Sequence, residues 1–418
     1  MSTQWTPAQE DAIHARGGPL LVSAAAGSGK TAVLVERILA HILDEKAPVD
    51  ADRLLVVTFT RAAAAEMRAR IERRLAQERE KQPESLFLQR QQILLTRAHI
   101  GTIDSFCGEL VRAHFTELGF PADFRVADQS EIAVLREQVL EEVLDRYYAE
   151  GQPAFFDLLD CFAAGRDDGP LAAMVQQLYD FIQSHPFPAR WLREKAAFYH
   201  ADGPDATPWG EEVRAYAREA LDYCAGVMRA SLQMLEKEPA LAEKWAPVLE
   251  EELSALENAR KALPDASWDG AGAWLLNIAF GRVQTPRGYG DHPLKLVVAA
   301  NREEVKKIVG ELQGLFACTE AECKADFARL APLVDMLFQI VQDFSALLQS
   351  RKSARHLADF SDLAHGALSL LVQETASGWT RTDTAREIAA QYDEILVDEY
   401  QDTNALQDLL FRAISRDE

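Results

Sequence analysis

Apolar and polar positions along the 418 residues change period several times, and each change marks a different kind of element. Leu20–Leu21–Val22 is a short apolar run followed by small residues, the pattern of a strand entering a loop. Val35, Ile38, Leu39 and Ile42 then recur at i, i+3, i+4 and i+7, which predicts a helix directly after the loop. Leu54–Leu55–Val56–Val57–Thr58 is a continuous apolar run, as expected of a strand covered on both faces, and the Ala62–Leu75 pattern predicts a helix behind it. Ala98–Phe106 predicts a third short strand and loop, with a helix over Cys107–Leu118. From about Phe120 to about Ser350 the helical period dominates, with segments over Ile132–Tyr147, Leu171–Phe181, Val213–Leu235, Val305–Phe316 and Leu333–Leu348. Pro/Gly breaks near 186–188, 203–208 and 286–293 separate them. Strand texture returns at Glu394–Val397.

The first loop carries the first candidate chemistry. Ala24–Ala25–Ala26–Gly27–Ser28–Gly29–Lys30–Thr31 lies between a predicted strand and a predicted helix, the setting of a phosphate-binding loop. Small residues let backbone N–H groups approach an anion at the positive end of the helix. Lys30 would reach the β/γ-phosphates of ATP, and the Thr31 hydroxyl would ligate Mg²⁺. The strict pattern has Gly where this chain has Ala24, while Gly27 and Gly29 can still supply positive φ. Asp398–Glu399 follows the last apolar strand and would complete such a site. Asp398 would hold Mg²⁺ through its water shell, and Glu399 would orient and deprotonate the attacking water. The bland alternative for that pair is a helix N-cap.

Ahead of the loop, Thr6 reads as an N-cap and Pro7 as the first helical residue. Gln9 is either a surface residue or an amide offered to the edge of adenine. Phe59 is either a core residue or a platform for a base, and Thr60 and Arg61 beside it suit phosphates. Two basic stretches stand out. The one between Arg61 and Arg97 reads first as a solvated helix face, and Gly281–Lys295 reads first as a mobile surface loop rather than a contact for single-stranded DNA.

Charge and composition narrow the classes. Forty-four Lys and Arg against 66 Asp and Glu give a net charge of -22, an average that still permits a local basic path for DNA. Five cysteines in a chain of this length suit a reducing, cytoplasmic setting, and there is no run of eighteen apolar residues.

The segments TPAQ, AAAGSGKT, VVTFTRAAAAEM, GTIDSF and VDEYQDTN together resemble, in order, the early motifs of superfamily 1 helicases of the UvrD type. SAAAGSGKTAVLVERI, FRVADQSE, SHPFPARWL and DFSDL are most similar to the AddA family, the helicase–nuclease subunits of bacterial AddAB complexes. The resemblance runs through the whole chain. It implies an α/β fold: a RecA-like P-loop parallel sheet built from 1–118 and 351–418, with a large all-helical insertion over 119–350. It implies that Gln9 reads adenine, that the loop from Ala24 through Gly27 and Gly29 to Thr31 binds ATP and Mg²⁺ with Asp398, and that Gln401 joins Lys30 and Glu399 in catalysis. Thr58, Phe59, Thr60, Arg61, Gly101, Thr102 and Ser105 would lie along a single DNA strand.

Two positions depart from the family pattern. Ala32 stands where UvrD and PcrA type motors have Arg, with Arg37 as a substitute beside the base, and Asp104 stands where the GTFHS-like motif has His. The family activity is a 3′→5′ DNA helicase–exonuclease for double-strand break repair and recombination, with an AddB-like partner. The family also has a second RecA-like domain with arginine fingers and a nuclease domain. Neither is present in these 418 residues, so the expectation is weak ATP·Mg²⁺ binding and negligible hydrolysis by this chain alone. The readings held against it are a truncated, non-catalytic nucleotide- or DNA-binding or docking module, and a RecB-like or stand-alone UvrD-like helicase.

Overall fold

The computed structural model describes residues 5–25, 27–163 and 168–416. In chain order the elements are α1 (Pro7–His14), α2 (Lys30–Ile42), β1 (Leu54–Thr58), α3 (Arg61–Lys81), α4 (Leu86–Leu95), β2 (His99–Thr102), α5 (Ile103–Ala113) and β3 (Arg125–Val126). Then come α6 (Gln129–Glu150), α7 (Pro153–Ala163), α8 (Gly169–Gln183), α9 (Pro188–Tyr199), α10 (Pro208–Leu235), α11 (Pro239–Ala262), α12 (Trp268–Leu276), α13 (Pro293–Leu315) and α14 (Glu320–Ala354). The chain continues through β4 (Leu357–Ala358), α15 (Phe360–Leu371), β5 (Val372–Thr375), β6 (Gly378–Arg381), α16 (Asp383–Gln391), β7 (Glu394–Val397) and α17 (Ala405–Ile414). Between β3 and β4 the described elements are all helical.

Contacts divide the chain into two units. One takes in the described residues of 1–151, 162–191 and 340–418, the other those of 152–161 and 192–339. The first is built on a parallel sheet of order β2-β1-β7. Alternation along β1 explains its two covered faces. Leu54 and Val56 join Val35, Ile38 and Ile42 of α2, Met67, Ile71 and Leu75 of α3, and Leu95. Leu55 and Val57 face the other way, into Phe106 and Val111 of α5, Leu363 and Leu371 of α15, Ile388, and Leu410 of α17. A strand apolar at every position is therefore one with a helical layer on each side.

Two expectations are corrected. Leu20, Leu21 and Val22 form no strand: they are 45%, 79% and 44% exposed and pair with no neighbour. Hydrophobicity alone does not make a strand, which needs a partner's N–H and C=O groups as well as cover. Helix α5 starts at Ile103 rather than Cys107, because Thr102 leaves β2 and at once caps the helix through the Ser105 N–H. The hairpin β5–β6 and helices α15 and α16 add elements beyond those that the apolar pattern predicts.

A buried ionic cluster ties α14 to α15. Lys352 is 1% exposed, and its Nζ donates to Asp359 Oδ2 (3.0 Å) and Asp362 Oδ1 (2.7 Å). Asp359 and Asp362 also form a reciprocal capping box at the start of α15. Burial and the neighbouring Asp359 carboxylate push Asp362 up to about 6. Burial works against ionisation of Asp359 too, but Lys352 and the Asp362 N–H hold it below the ordinary carboxylate range. The folded state thus keeps a proton on Asp362 that the unfolded chain has released, so this group's contribution favours folding less and less as pH rises from its ordinary value near 3.8 to about 6. Urea unfolding across that window should show a shallower pH dependence in Asp362→Asn than in the parent.

The second unit is a helical core. On α10, Ala217, Leu221, Cys224, Met228 and Leu235 repeat at helical spacing and are fully buried, against Leu249 and Leu256 of α11 and Val298, Val305 and Leu312 of α13. Two core positions are charged. Glu252 of α11 and Arg302 of α13 meet as a buried ion pair, Arg302 Nε to Glu252 Oε2 at 2.8 Å.

Candidate nucleotide site at the carboxyl edge of the sheet

Because β1, β2 and β7 are parallel, their carboxyl ends share one edge. The register sets Val57 opposite Val397 and Gly101, and Thr58 opposite Thr102. Asp398, whose N–H donates to Val57 O (2.9 Å), therefore emerges in the same row as Thr58 and Thr102. Ligands of open α/β sheets bind at this edge.

The small-residue loop ends in α2, whose first N–H groups have no side-chain cap. Those donors and the helix dipole are free to serve an anion. Gly27 and Gly29 hold φ of 77° and 87°, left-handed values that a side chain would strain. Ser28 N–H turns back to Ala25 O (3.2 Å), and Lys30 Nζ donates to Ala24 O (3.0 Å). Ala26 lies outside the described residues.

The Asp398 carboxyl is pushed up by its burial and by Glu399, and drawn back down by the Glu399 N–H and, less, by the charge of Lys30. Glu399 sits at φ 54°, one of two non-glycine residues with positive φ among those described. Strain of that kind persists where the surroundings enforce it, and it collects at functional sites. The Glu399 N–H donates to Asp398 Oδ1 (3.1 Å), and Gln401 Nε2 donates to Glu399 Oε2. Gln401 thus fixes the orientation of the Glu399 carboxylate. Asp398 and the Thr31 hydroxyl are hard oxygen donors of the kind Mg²⁺ takes, and two adjacent carboxyls beside one ammonium are a setting that a divalent cation would relieve.

Gln9 has both ends of its amide engaged. Its Oε1 accepts from Thr6 N–H (2.9 Å) in a capping box, and its Nε2 donates to Ser28 O (3.1 Å). It tethers α1 to the phosphate loop.

Arg37 takes a structural part in place of the expected contact with a base. Its Nε donates to Glu394 Oε1 (2.8 Å), and its Nη1 to Ala12 O (2.7 Å) and Ala15 O (2.9 Å). His41 completes the cluster on Glu394. Helix α2 is thereby bolted to β7 through Arg37 and His41, with Lys30 at its other end. Sequence reasoning missed Glu394 and His41, since nothing local marks residues so far apart in the chain as partners. Arg37→Met should lower stability to urea by ~3 kcal/mol, the cost of taking one partner from a largely buried charge cluster.

At the ends of β1 and β2, Phe59 is 67% exposed, which excludes the core reading. Thr60 caps α3 through the Ala63 N–H, and Thr58 Oγ1 donates to Thr60 O. Ser105 Oγ donates to Thr102 O (2.6 Å), and a Cβ at Gly101 would lie 2.5 Å from that same Ser105 Oγ. Burial pushes the Asp104 carboxyl up, and the charge of Arg61, the first residue of α3, opposes it. Farther along α3 and α4, Arg68 donates to Leu95 O and Ala98 O, Arg74 pairs with Glu36, and Arg90 pairs with Asp50. Much of the basic stretch is internal scaffolding.

With this geometry in hand, comparison with known proteins identifies the framework: residues 5–264 and 294–418 match the UvrD/REP helicase N-terminal domain. The chain belongs to that family. Membership in the UvrD/REP family carries with it a P-loop, RecA-like fold. A Pelotomaculum thermopropionicum protein named as an ATP-dependent helicase/nuclease subunit is 40% identical over 426 residues, covering 100% of this chain and 33% of that relative. Proteins of the same name from Anoxybacillus flavithermus (37% over 423 residues; 100% and 35%) and Geobacillus kaustophilus (38% over 426; 99% and 34%) are similar throughout as well. The chain spans about a third of the length of these relatives.

Proposed function

We propose that this UvrD/REP-type chain carries the ATP·Mg²⁺ site and part of the single-strand DNA path of an ATP-dependent 3′→5′ DNA helicase–exonuclease. That protein would act in the cytoplasm on double-strand breaks, beside an AddB-like partner. The observation that carries the reading is the small-residue loop that opens α2 with Gly27 and Gly29 at left-handed φ, in a unit whose parallel strands end in a row at Thr58, Thr102 and Asp398. Lys30 and the free N–H groups of α2 bind the phosphates, and Thr31 and Asp398 hold Mg²⁺. When bound, the metal neutralises charge on the transferring phosphoryl group. Glu399, oriented by Gln401, accepts the proton of the attacking water. Thr58–Arg61 and Gly101–Ser105 border the DNA strand, with Phe59 open to stacking. These 418 residues alone turn ATP over slowly, because an additional arginine supplies ~10³–10⁵ in rate in related phosphoryl transfers.

Titration of the chain with a fluorescent ATP analogue and Mg²⁺ tests the site. Lys30→Ala should weaken binding at least about tenfold through loss of a charge-assisted phosphate contact. Equal affinity in parent and variant would remove Lys30 from the site. Binding also requires Lys30 to leave Ala24 O, so amide exchange across 20–31 should slow when Mg²⁺ and the analogue are added, with no such change in Lys30→Ala.

A further inference from the structure

In the helical unit, the irregular segment that joins α12 to α13 is anchored rather than loose. The buried carboxylate of Glu252 accepts from the Gly281 N–H (2.9 Å), and the Arg302 guanidinium donates to the Gly281 carbonyl (2.5 Å). Gly281 is pressed so closely that a Cβ there would meet Val248 Cγ1 at 2.9 Å. Burying an ion pair does little for stability compared with apolar packing, so its use here to fix one loop end calls for another explanation. Beside Gly281 opens a cleft of about 380 Å³. Its apolar lining is Trp245, Val283 and Ala299, and its cations are Arg282, Lys295, Lys306 and the paired Arg302. Arg282 is exposed, and Lys295 Nζ leans on Gly290 O. Lys306 pairs with Glu303, the one acid of the lining. Trp245 is 5% exposed and gives the lining an aromatic member.

We propose that this cleft is a second anion site, taking a phosphate ester, with oxygens on Arg282 and Lys306 and the sugar or base side on the apolar lining. Phosphate fits better than carboxylate. Its several acceptor oxygens and higher charge can engage an arginine fork and an ammonium together. Free nucleotide and the phosphodiester of a single strand present the same group, and the experiment separates them. The site does not depend on the P-loop reading.

The test uses the 418-residue chain carrying Lys30→Ala, so that the P-loop contributes as little as possible. A short fluorescein-labelled oligothymidylate is followed by anisotropy, and AMP and inorganic phosphate by titration calorimetry. Arg282→Glu with Lys306→Glu should weaken at least one of these ligands about tenfold or more. Lys307, exposed on the same helix outside the cleft, supplies the control: Lys307→Glu should leave affinity unchanged. Loss confined to the oligonucleotide assigns the site to a strand, and loss of AMP binding assigns it to a free nucleotide. Equal loss in Lys307→Glu, no loss in the cleft variants, or no binding of any of the three ligands would overturn the proposal.

Discussion

Glu399→Gln should, on the proposed reading, lower ATP hydrolysis by the protein ~10²–10⁴-fold while leaving binding of Mg²⁺ and ATP intact. The amide keeps the size and the hydrogen-bonding reach of the carboxylate but cannot take the proton of water. It also keeps a carbonyl oxygen for Gln401 Nε2, which now donates to Glu399 Oε2, so the local frame survives. Asp398, Thr31 and Lys30 remain to hold metal and phosphates. Gln401→Ala provides the graded comparison: the base is still present but no longer steered, so hydrolysis should fall by less. Rates for Glu399→Gln equal to the parent would take Glu399 out of the role of base and leave its left-handed backbone without a catalytic reason.

Lys352→Ala should destabilise the sheet-bearing unit by ~3–5 kcal/mol, the range found when one partner of a buried charge pair is removed. The substitution strands Asp359 and Asp362 in a site that excludes water, with the capping box at the start of α15 forced to hold two carboxyls that repel. Helix α15 lies in the core under β1, through Leu363, Leu368 and Leu371, so the damage reaches the layer that supports the carboxyl edge. A total stability of roughly 5–15 kcal/mol makes such a loss a large share. Urea unfolding followed by circular dichroism reads it, and a loss under about 1 kcal/mol would mean the cluster is solvated rather than buried. The triple variant Lys352→Met, Asp359→Asn, Asp362→Asn should recover much of the loss, because it leaves no charge buried without a partner and keeps both capping side chains.

Much of the site is legible in the sequence because its signals are local. Leu54–Thr58 is apolar at every position since both of its faces are covered, and the residues themselves carry that fact. Asp398–Glu399 declares itself by following an apolar strand, and Gly29–Lys30–Thr31 by opening a helix. The rest depends on partners distant in the chain. Leu20–Val22 has the composition of a strand, yet composition does not say whether a neighbouring edge is in place to pair with it. Arg37 looks available to a base because its local surroundings are silent about Glu394. The start of helix α5 is hard to read, since Thr102 closes a strand and caps a helix in one residue. In the helical unit, Glu252 and Arg302 occupy core positions of α11 and α13, where a periodic reading sees only polar interruptions.

For this chain to work on ATP, Lys30 and Thr31 on one side, and Asp398 and Glu399 on the other, must face a single nucleotide. A crystal structure of the chain with Mg²⁺ and a non-hydrolysable ATP analogue measures that most directly. The terminal phosphates are expected on Lys30, which has released Ala24 O, and the metal between Thr31 and Asp398, with Glu399 beside the γ-phosphate. Phosphates bound elsewhere, or a metal that ignores Asp398 while Lys30 stays on Ala24 O, would contradict it.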